Sequence, residues 1–121
     1  MLIAPGRSLG GSRAKASVVD EQGHLWMAKF PSANDIIDVG GWESVVHVLA
    51  ARAGIETPQA RREKFASNHH AFLSRRFDRG DGGARIHFAS AMTMLEKRDG
   101  EEGASYLDLA RIIIQQGARP A

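Results

Sequence analysis

Two features of this chain could do chemistry together: the glycine-rich stretch Gly6-Arg7-Ser8-Leu9-Gly10-Gly11-Ser12-Arg13-Ala14-Lys15, and a lysine, Lys29, within Met27-Ala28-Lys29-Phe30. Paired glycines let the backbone turn tightly and approach a ligand with no Cβ in the way, so that consecutive N–H groups can point at phosphate oxygens. A lysine on a neighbouring strand would supply the compensating charge. The pair reads as half of a nucleotide site, because nothing downstream offers the Asp and Asn ligands for magnesium, or the catalytic Asp, that phosphoryl transfer requires.

The elements that must position these residues can be read from local pattern. Residues 15–20 alternate and include β-branched side chains, and residues 25–30 follow the turn Glu21-Gln22-Gly23, so the two segments are expected to pair as a hairpin. Lys29 then lies on the second strand of that hairpin. From Val39 the apolar residues Trp42, Val45, Val46, Leu49, Ala50 and Ala53 recur at the spacing of one helix face, with Gly54 and Pro58 as stop signals. Glu43 is the acid within that periodic stretch.

Residues 59–64 and 71–77 read as two further strands around Asn68-His69-His70, and residues 85–88 as another after a glycine-rich turn. Ser105 with Asp108 forms a capping box ahead of Tyr106, Leu109, Ala110, Ile113 and Ile114, a second amphipathic helix that runs to Gly117. Trp26 and Trp42 both sit in periodic segments and are expected in the core. The order hairpin, helix, strands, helix predicts an α+β fold, a small antiparallel sheet with packed helices.

Composition narrows the function classes. The 121 residues suit a single domain, 1–121, with 25% charged and 43% hydrophobic residues, an ordinary globular balance. A net charge of +2 does not argue for nucleic acid as a direct partner. The lack of cysteine excludes disulfides, thiolate metal sites and cysteine catalysis. No secretory or membrane-spanning stretch is evident, so a cytoplasmic location is expected. His47, His69, His70 and His87 invite a metal reading, but adjacent His69 and His70 would point to opposite faces of a strand, and no cluster of Asp, Glu or Cys stands around them at metal-ligand spacing. No metal site is expected.

The runs Ser8-Leu9-Gly10-Gly11-Ser12-Arg13-Ala14-Lys15-Ala16, Ala28-Lys29-Phe30-Pro31, Trp42-Glu43 and Leu73-Ser74-Arg75-Arg76-Phe77-Asp78-Arg79 closely resemble the HipA family of bacterial serine/threonine toxin kinases. That resemblance implies a kinase-like N-lobe: glycine-loop hairpin, lysine strand, helix with a pairing glutamate, and a segment leading to the hinge. It implies ATP as the nucleotide, with magnesium in the complete kinase, bound by Ser8, Leu9, Gly10, Gly11, Lys29, Glu43, Arg75 and Phe77. Lys29 matches the lysine that meets the α- and β-phosphates, Glu43 its helix partner, and Arg75, Arg76 and Phe77 the segment beside the adenine.

Ser8 matches the loop serine whose autophosphorylation switches the best-known members off. Where those members carry Glu, this chain has Arg75. The resemblance further implies a C-lobe beyond Ala118-Arg119-Pro120 that holds the catalytic and metal-binding residues, and a HipB-like DNA-binding antitoxin as partner. On this reading residues 1–121 bind nucleotide without catalysing transfer. The alternative is a non-catalytic regulatory module that binds an antitoxin or a separate kinase subunit. On the lobe reading an apolar patch is expected around Phe77 and the helix from Tyr106 to Ile114.

Overall fold

The computed structural model describes residues 2–4, 13–98 and 100–117. Residues 8–11, the heart of the glycine-rich stretch, lie outside the described residues. The chain divides into two compact units, Met1–Ile86 and His87–Ala121.

The first unit is a five-stranded antiparallel sheet with one long helix. Its strands are β1 (Leu2–Ala4), β2 (Lys15–Val19), β3 (Leu25–Lys29), β4 (Ala60–Glu63) and β5 (Ala71–Arg75), in the spatial order β1-β2-β3-β5-β4. Helix α1 (Val39–Arg52) lies between β3 and β4 in the chain and packs on β4 and β5. The α+β class expected from sequence is the class observed, and the β2–β3 hairpin and both later strands form where the pattern placed them.

The β2–β3 turn is closed by one carboxylate. Asp20 accepts hydrogen bonds from the backbone N–H of Gln22 (3.0 Å) and His24 (2.8 Å) and from the indole Nε1 of Trp26 (2.8 Å). Gly23 takes the left-handed conformation there, φ +84°, which a side chain would resist. This local network fixes the hairpin register, and with it which residues of β3 share a face.

Register divides the sheet into two unlike faces. Ala16 pairs with Ala28, Val18 with Trp26, and Ala28 with Leu73, so these side chains lie together on one face. Val18, Trp26, Ala28, Ala71 and Leu73 form the buried core, with Ala16 and Phe30 packed beside them. The opposite face carries Lys15, Ser17, Met27, Lys29, Phe72 and Ser74, again paired in register.

Two expectations are corrected. Residues 85–88 do not form a strand: Arg85 makes an isolated bridge to Arg79, and the residues after it find no ladder to join. A strand is stabilised by cross-strand pairs, and one bridge supplies only the first of them. Trp42 is not in the core but 60% exposed, as are the other apolar residues Val45, Val46 and Leu49 of the same helix face. Helix α1 is therefore turned opposite to the orientation its hydrophobic pattern suggests. The cause lies in its first turn, described below. Trp26, by contrast, is buried as expected.

The second unit holds a short helix, α2 (Ala91–Met94), and α3 (Tyr106–Gln116). The Ser105–Asp108 capping box forms as the sequence indicated: the Ser105 hydroxyl accepts from the Asp108 N–H and the Asp108 carboxylate accepts from the Ser105 N–H at 2.9 Å. Tyr106, Leu107, Ile113 and Ile114 are all exposed, and so is Phe77 in the first unit. No helix of the described residues is long and apolar enough to cross a membrane.

Candidate functional site: a lysine held by a helix carboxylate

The site is built outward from Gly40. A Cβ placed on this residue would fall 2.0 Å from the carbonyl oxygen of His70, closer than any side chain allows. The absence of that Cβ lets the first turn of α1 rest directly on the backbone where β5 begins. Asp38, the N-cap residue, secures the contact: its carboxylate accepts from the N–H of Gly41 (3.1 Å) and of His70 (2.8 Å), and also bonds the His70 ring through Nδ1. These bonds from His70, then the Gly41 N–H, hold the Asp38 carboxyl far below the usual carboxylate range despite some desolvation.

With the first turn pinned, the second turn faces the sheet through Glu43 and the next through His47. Glu43 meets Lys29, and the two form a hydrogen-bonded ion pair between α1 and β3. His47 lies over the Phe72 ring, centroids 6.1 Å apart. The Lys29 ammonium also sits 5.7 Å from the Phe72 centroid, an additional cation–π attraction. Gly40, Glu43 and His47 thus make the sheet-facing side of α1, which leaves Trp42, Val45, Val46 and Leu49 outward.

Lys29 and Glu43 keep 35% and 30% of their side-chain surface exposed. The ammonium is oriented by its partner yet still reachable from solvent. That combination suits a charge meant to meet a ligand. An ion pair so exposed contributes only about 0–1 kcal/mol to stability, so its position is poorly explained by folding alone.

A second ion pair stands beside the first. Arg13, at the exit of the glycine-rich stretch, donates two hydrogen bonds of 2.5 Å to the carboxylate of Asp35, in the link between β3 and α1. The guanidinium of Arg13, then the Ser32 N–H at 2.9 Å, lower the Asp35 pKa. Arg13, Lys29, Phe30, Val39, Glu43 and His70 line one narrow crevice of about 10 Å³, room for no more than one water. A larger ligand would have to lie beyond it on the same sheet face, along Lys29 and Met27.

At the other end of β5 the chain leaves the sheet through Arg75-Arg76-Phe77-Asp78-Arg79. The N–H of Arg75 donates to the Gln59 carbonyl (2.8 Å) and that of Arg76 to the Leu25 carbonyl (2.9 Å), so the departing segment is tied to both neighbours. Asp78 is 5% exposed. It accepts from Arg76 Nε (2.8 Å) and Nη2 (2.6 Å) and from Arg79 Nη1 (2.6 Å), and the Arg76 guanidinium holds its pKa low. Arg76 Nη1 reaches the Ser17 hydroxyl at 3.3 Å, which joins this clamp to β2.

A model of the HipA-like C-terminal domain family matches residues 7–121. The chain belongs to that family. No curated protein and no solved structure matches it.

In this HipA-like domain the residues singled out from sequence fall into three groups. Lys29 and Glu43 are brought together. Arg75 and Phe77 lie toward the far end of β5: Lys29 is paired with Phe72, and Arg75 is three residues on, about 10 Å along the strand. The odd spacing also puts the Arg75 side chain on the Trp26 face rather than the Lys29 face, so toward a ligand beside Lys29 Arg75 can offer its main chain and not its guanidinium. Ser8, Leu9, Gly10 and Gly11 lie outside the described residues.

Sequence reasoning missed the Asp38–His70 contact and the Asp78 clamp. The first had no local signal, since 32 residues separate its partners. The second did: an aspartate with arginines at i−2 and i+1 could have been read as a paired acid.

Proposed function

We propose that residues 1–121 form the nucleotide-binding lobe of a HipA-type protein serine/threonine kinase. The observation that carries this reading is the Lys29–Glu43 pair, a lysine on a central strand fixed by a helix carboxylate and left partly open to solvent. Family membership supports it. ATP, bound with magnesium, supplies the γ-phosphoryl group that passes to a protein serine hydroxyl. In this domain Glu43 sets the direction of the Lys29 ammonium, which meets the α- and β-phosphate oxygens. By the HipA resemblance Ser8, Leu9, Gly10 and Gly11 would contact the same phosphates, and the Arg75 main chain and the exposed Phe77 ring would meet the adenine.

Magnesium coordination and the abstraction of the serine proton fall to groups that residues 1–121 do not supply in the HipA pattern. This stretch alone is therefore expected to bind Mg-ATP weakly and to transfer no phosphate. Two-dimensional NMR of the protein during a Mg-ATP titration tests the first point, with shifts expected at Met27, Lys29 and Phe72; shifts confined to the opposite face would refute the site. Labelled phosphate on this chain or on an added protein, in a preparation free of other kinases, would refute the second.

Ser8 is the proposed regulatory position. A phosphate there brings about −1.5 to −2 charges to a loop built to hold phosphate and competes with ATP for the same N–H groups. In a catalytically competent HipA-type chain that contains this lobe, Ser8→Ala should abolish self-inactivation while it spares turnover of a foreign substrate. Inactivation of that variant at the wild-type rate would remove the role.

A second reading rests on the outward apolar face of α1, which includes Trp42, Val46 and Leu49. Under it the domain is a non-catalytic module whose partner is a HipB-like antitoxin or a separate kinase subunit. Wild-type binding to such a partner by a Lys29→Met variant that no longer shifts with Mg-ATP would favour this reading.

A further inference from the structure

Just past the end of β5, two guanidinium groups close on a carboxylate that the Lys29–Glu43 pair does not use. Asp78 is 5% exposed, and the side chains of Arg76 and Arg79 that bond it keep only 16% and 21% of their surface. Charges so withdrawn from water lose in desolvation much of what they gain by attraction, so the cluster adds little net stability. What it supplies is a fixed geometry.

Arg76 is fixed from three sides. Its Nε and Nη2 form a fork on the two Asp78 oxygens. Its Nη1 reaches the hydroxyl of Ser17, a buried residue of β2, and its backbone N–H bonds the Leu25 carbonyl where β3 begins. A guanidinium is planar, so contacts at all three nitrogens leave it no free rotation. Asp78 is tied in turn through its main chain, whose carbonyl accepts from Arg79 Nη1 (2.8 Å) and from the Ile86 N–H (3.0 Å).

The clamp and the lysine meet one sheet face at different places. Ser17 is paired with Met27, which lies two residues from Lys29, about 7 Å along β3. The two ends of a ligand that runs from Lys29 toward the β5 exit are therefore served by separate residues. Resting on the nucleotide-lobe reading, we propose that Asp78 is a positioning residue for the base end of the nucleotide. It grips Arg76, which Ser17 anchors at the other end, and so fixes the Arg75–Phe77 main chain that the base meets. Asp78 itself touches no part of the ligand, and its effect is confined to ligands that carry a base.

Parallel NMR titrations with Mg-ATP and Mg-tripolyphosphate separate the two ends. In the wild type both ligands should shift Lys29 and Phe72, Mg-ATP alone should shift Phe77, and Mg-ATP should bind roughly tenfold tighter. Asp78→Asn should erase that advantage and leave the tripolyphosphate affinity unchanged. Ser17→Ala, which removes only the remote anchor, should reduce the advantage by about half on a logarithmic scale, and it decides the matter should Asp78→Asn fail to fold. An advantage that persists in the folded variants would overturn the proposal, as would equal weakening of both ligands, the mark of a purely structural role. A wild type that binds both ligands alike at Lys29 would overturn this inference and spare the phosphate site, whereas no response to either ligand would overturn both.

Discussion

On the Trp26 face of the sheet, Val18, Ala28, Ala71 and Leu73 are held by exclusion of water, and Leu73 has no exposed surface at all. On the Lys29 face, contact with α1 is made through a glycine against a carbonyl, a capped backbone, an ion pair and one buried ring, Phe72 under His47. The first face gains most of its free energy from buried area. The second gains little from any one charge, but it sets the direction of a reachable ammonium. A sheet that stores its stability on one side leaves the other free to carry polar groups in positions that stability alone would not select.

This contrast is broken most severely from the apolar side. Leu73→Ala should destabilise the first unit by about 2–5 kcal/mol, the cost of lost transfer energy plus a cavity at a fully buried site. Urea unfolding followed by tryptophan fluorescence in a Trp42→Phe background, where Trp26 is the reporter, measures it. A loss below about 1 kcal/mol would mean that the core is not where the sheet is secured. On the proposed nucleotide reading, Mg-ATP shifts at Lys29 should survive in the fraction that remains folded.

Gly40→Ala sharpens the comparison from the other side. The new methyl cannot share space with the His70 carbonyl, so the first turn of α1 must move and the misfit should cost about 1–3 kcal/mol. The Lys29–Glu43 pair should part as the helix shifts. Loss of Mg-ATP shifts at Lys29 in a still-folded protein would support this coupling, and an unaltered titration would break it.

Acid unfolding reports the hairpin that sets the register of both faces. Desolvation raises the Asp20 pKa, but the hydrogen bonds from Trp26 and from the His24 backbone and ring outweigh it and bring it down to about 2. A carboxyl whose folded pKa is depressed stabilises the fold fully above its unfolded pKa, near 4, and the contribution fades as pH falls toward about 2. Asp35, Asp38 and Asp78 are shifted in the same direction and add to the trend. Asp20→Asn should flatten the fall in melting temperature between pH 4 and pH 2 that the wild type shows. An identical slope in the variant would remove Asp20 from the account.

Much of this arrangement was legible before any coordinate. The Glu21-Gln22-Gly23 turn and the Ser105–Asp108 cap are local, so residue type and short spacing suffice to place them, although not the Asp20 carboxylate that closes the turn. Lys29 and Glu43 were paired through the resemblance to the HipA family, with Glu43 singled out as the acid within the periodic stretch of the helix. The rotation of α1 could not be read. Periodicity tells which residues share a face and not which face meets the sheet, and here the choice was made by Gly40 and Asp38 against His70, some 30 residues away. Residues 85–88 show the same limit. Their composition suits a strand, but a strand exists only where a partner ladder continues, and beyond the Arg79–Arg85 bridge none does.

The central claim is that the Lys29–Glu43 pair serves a ligand and not the fold. Lys29→Met tests it most directly when unfolding free energy and Mg-ATP titration are measured on the same sample. The pair is exposed enough that its loss should change stability by no more than about 1 kcal/mol, while the nucleotide-induced shifts at Met27 and Phe72 should vanish. A variant that loses several kcal/mol of stability, or that still responds to Mg-ATP as the wild type does, would contradict the account.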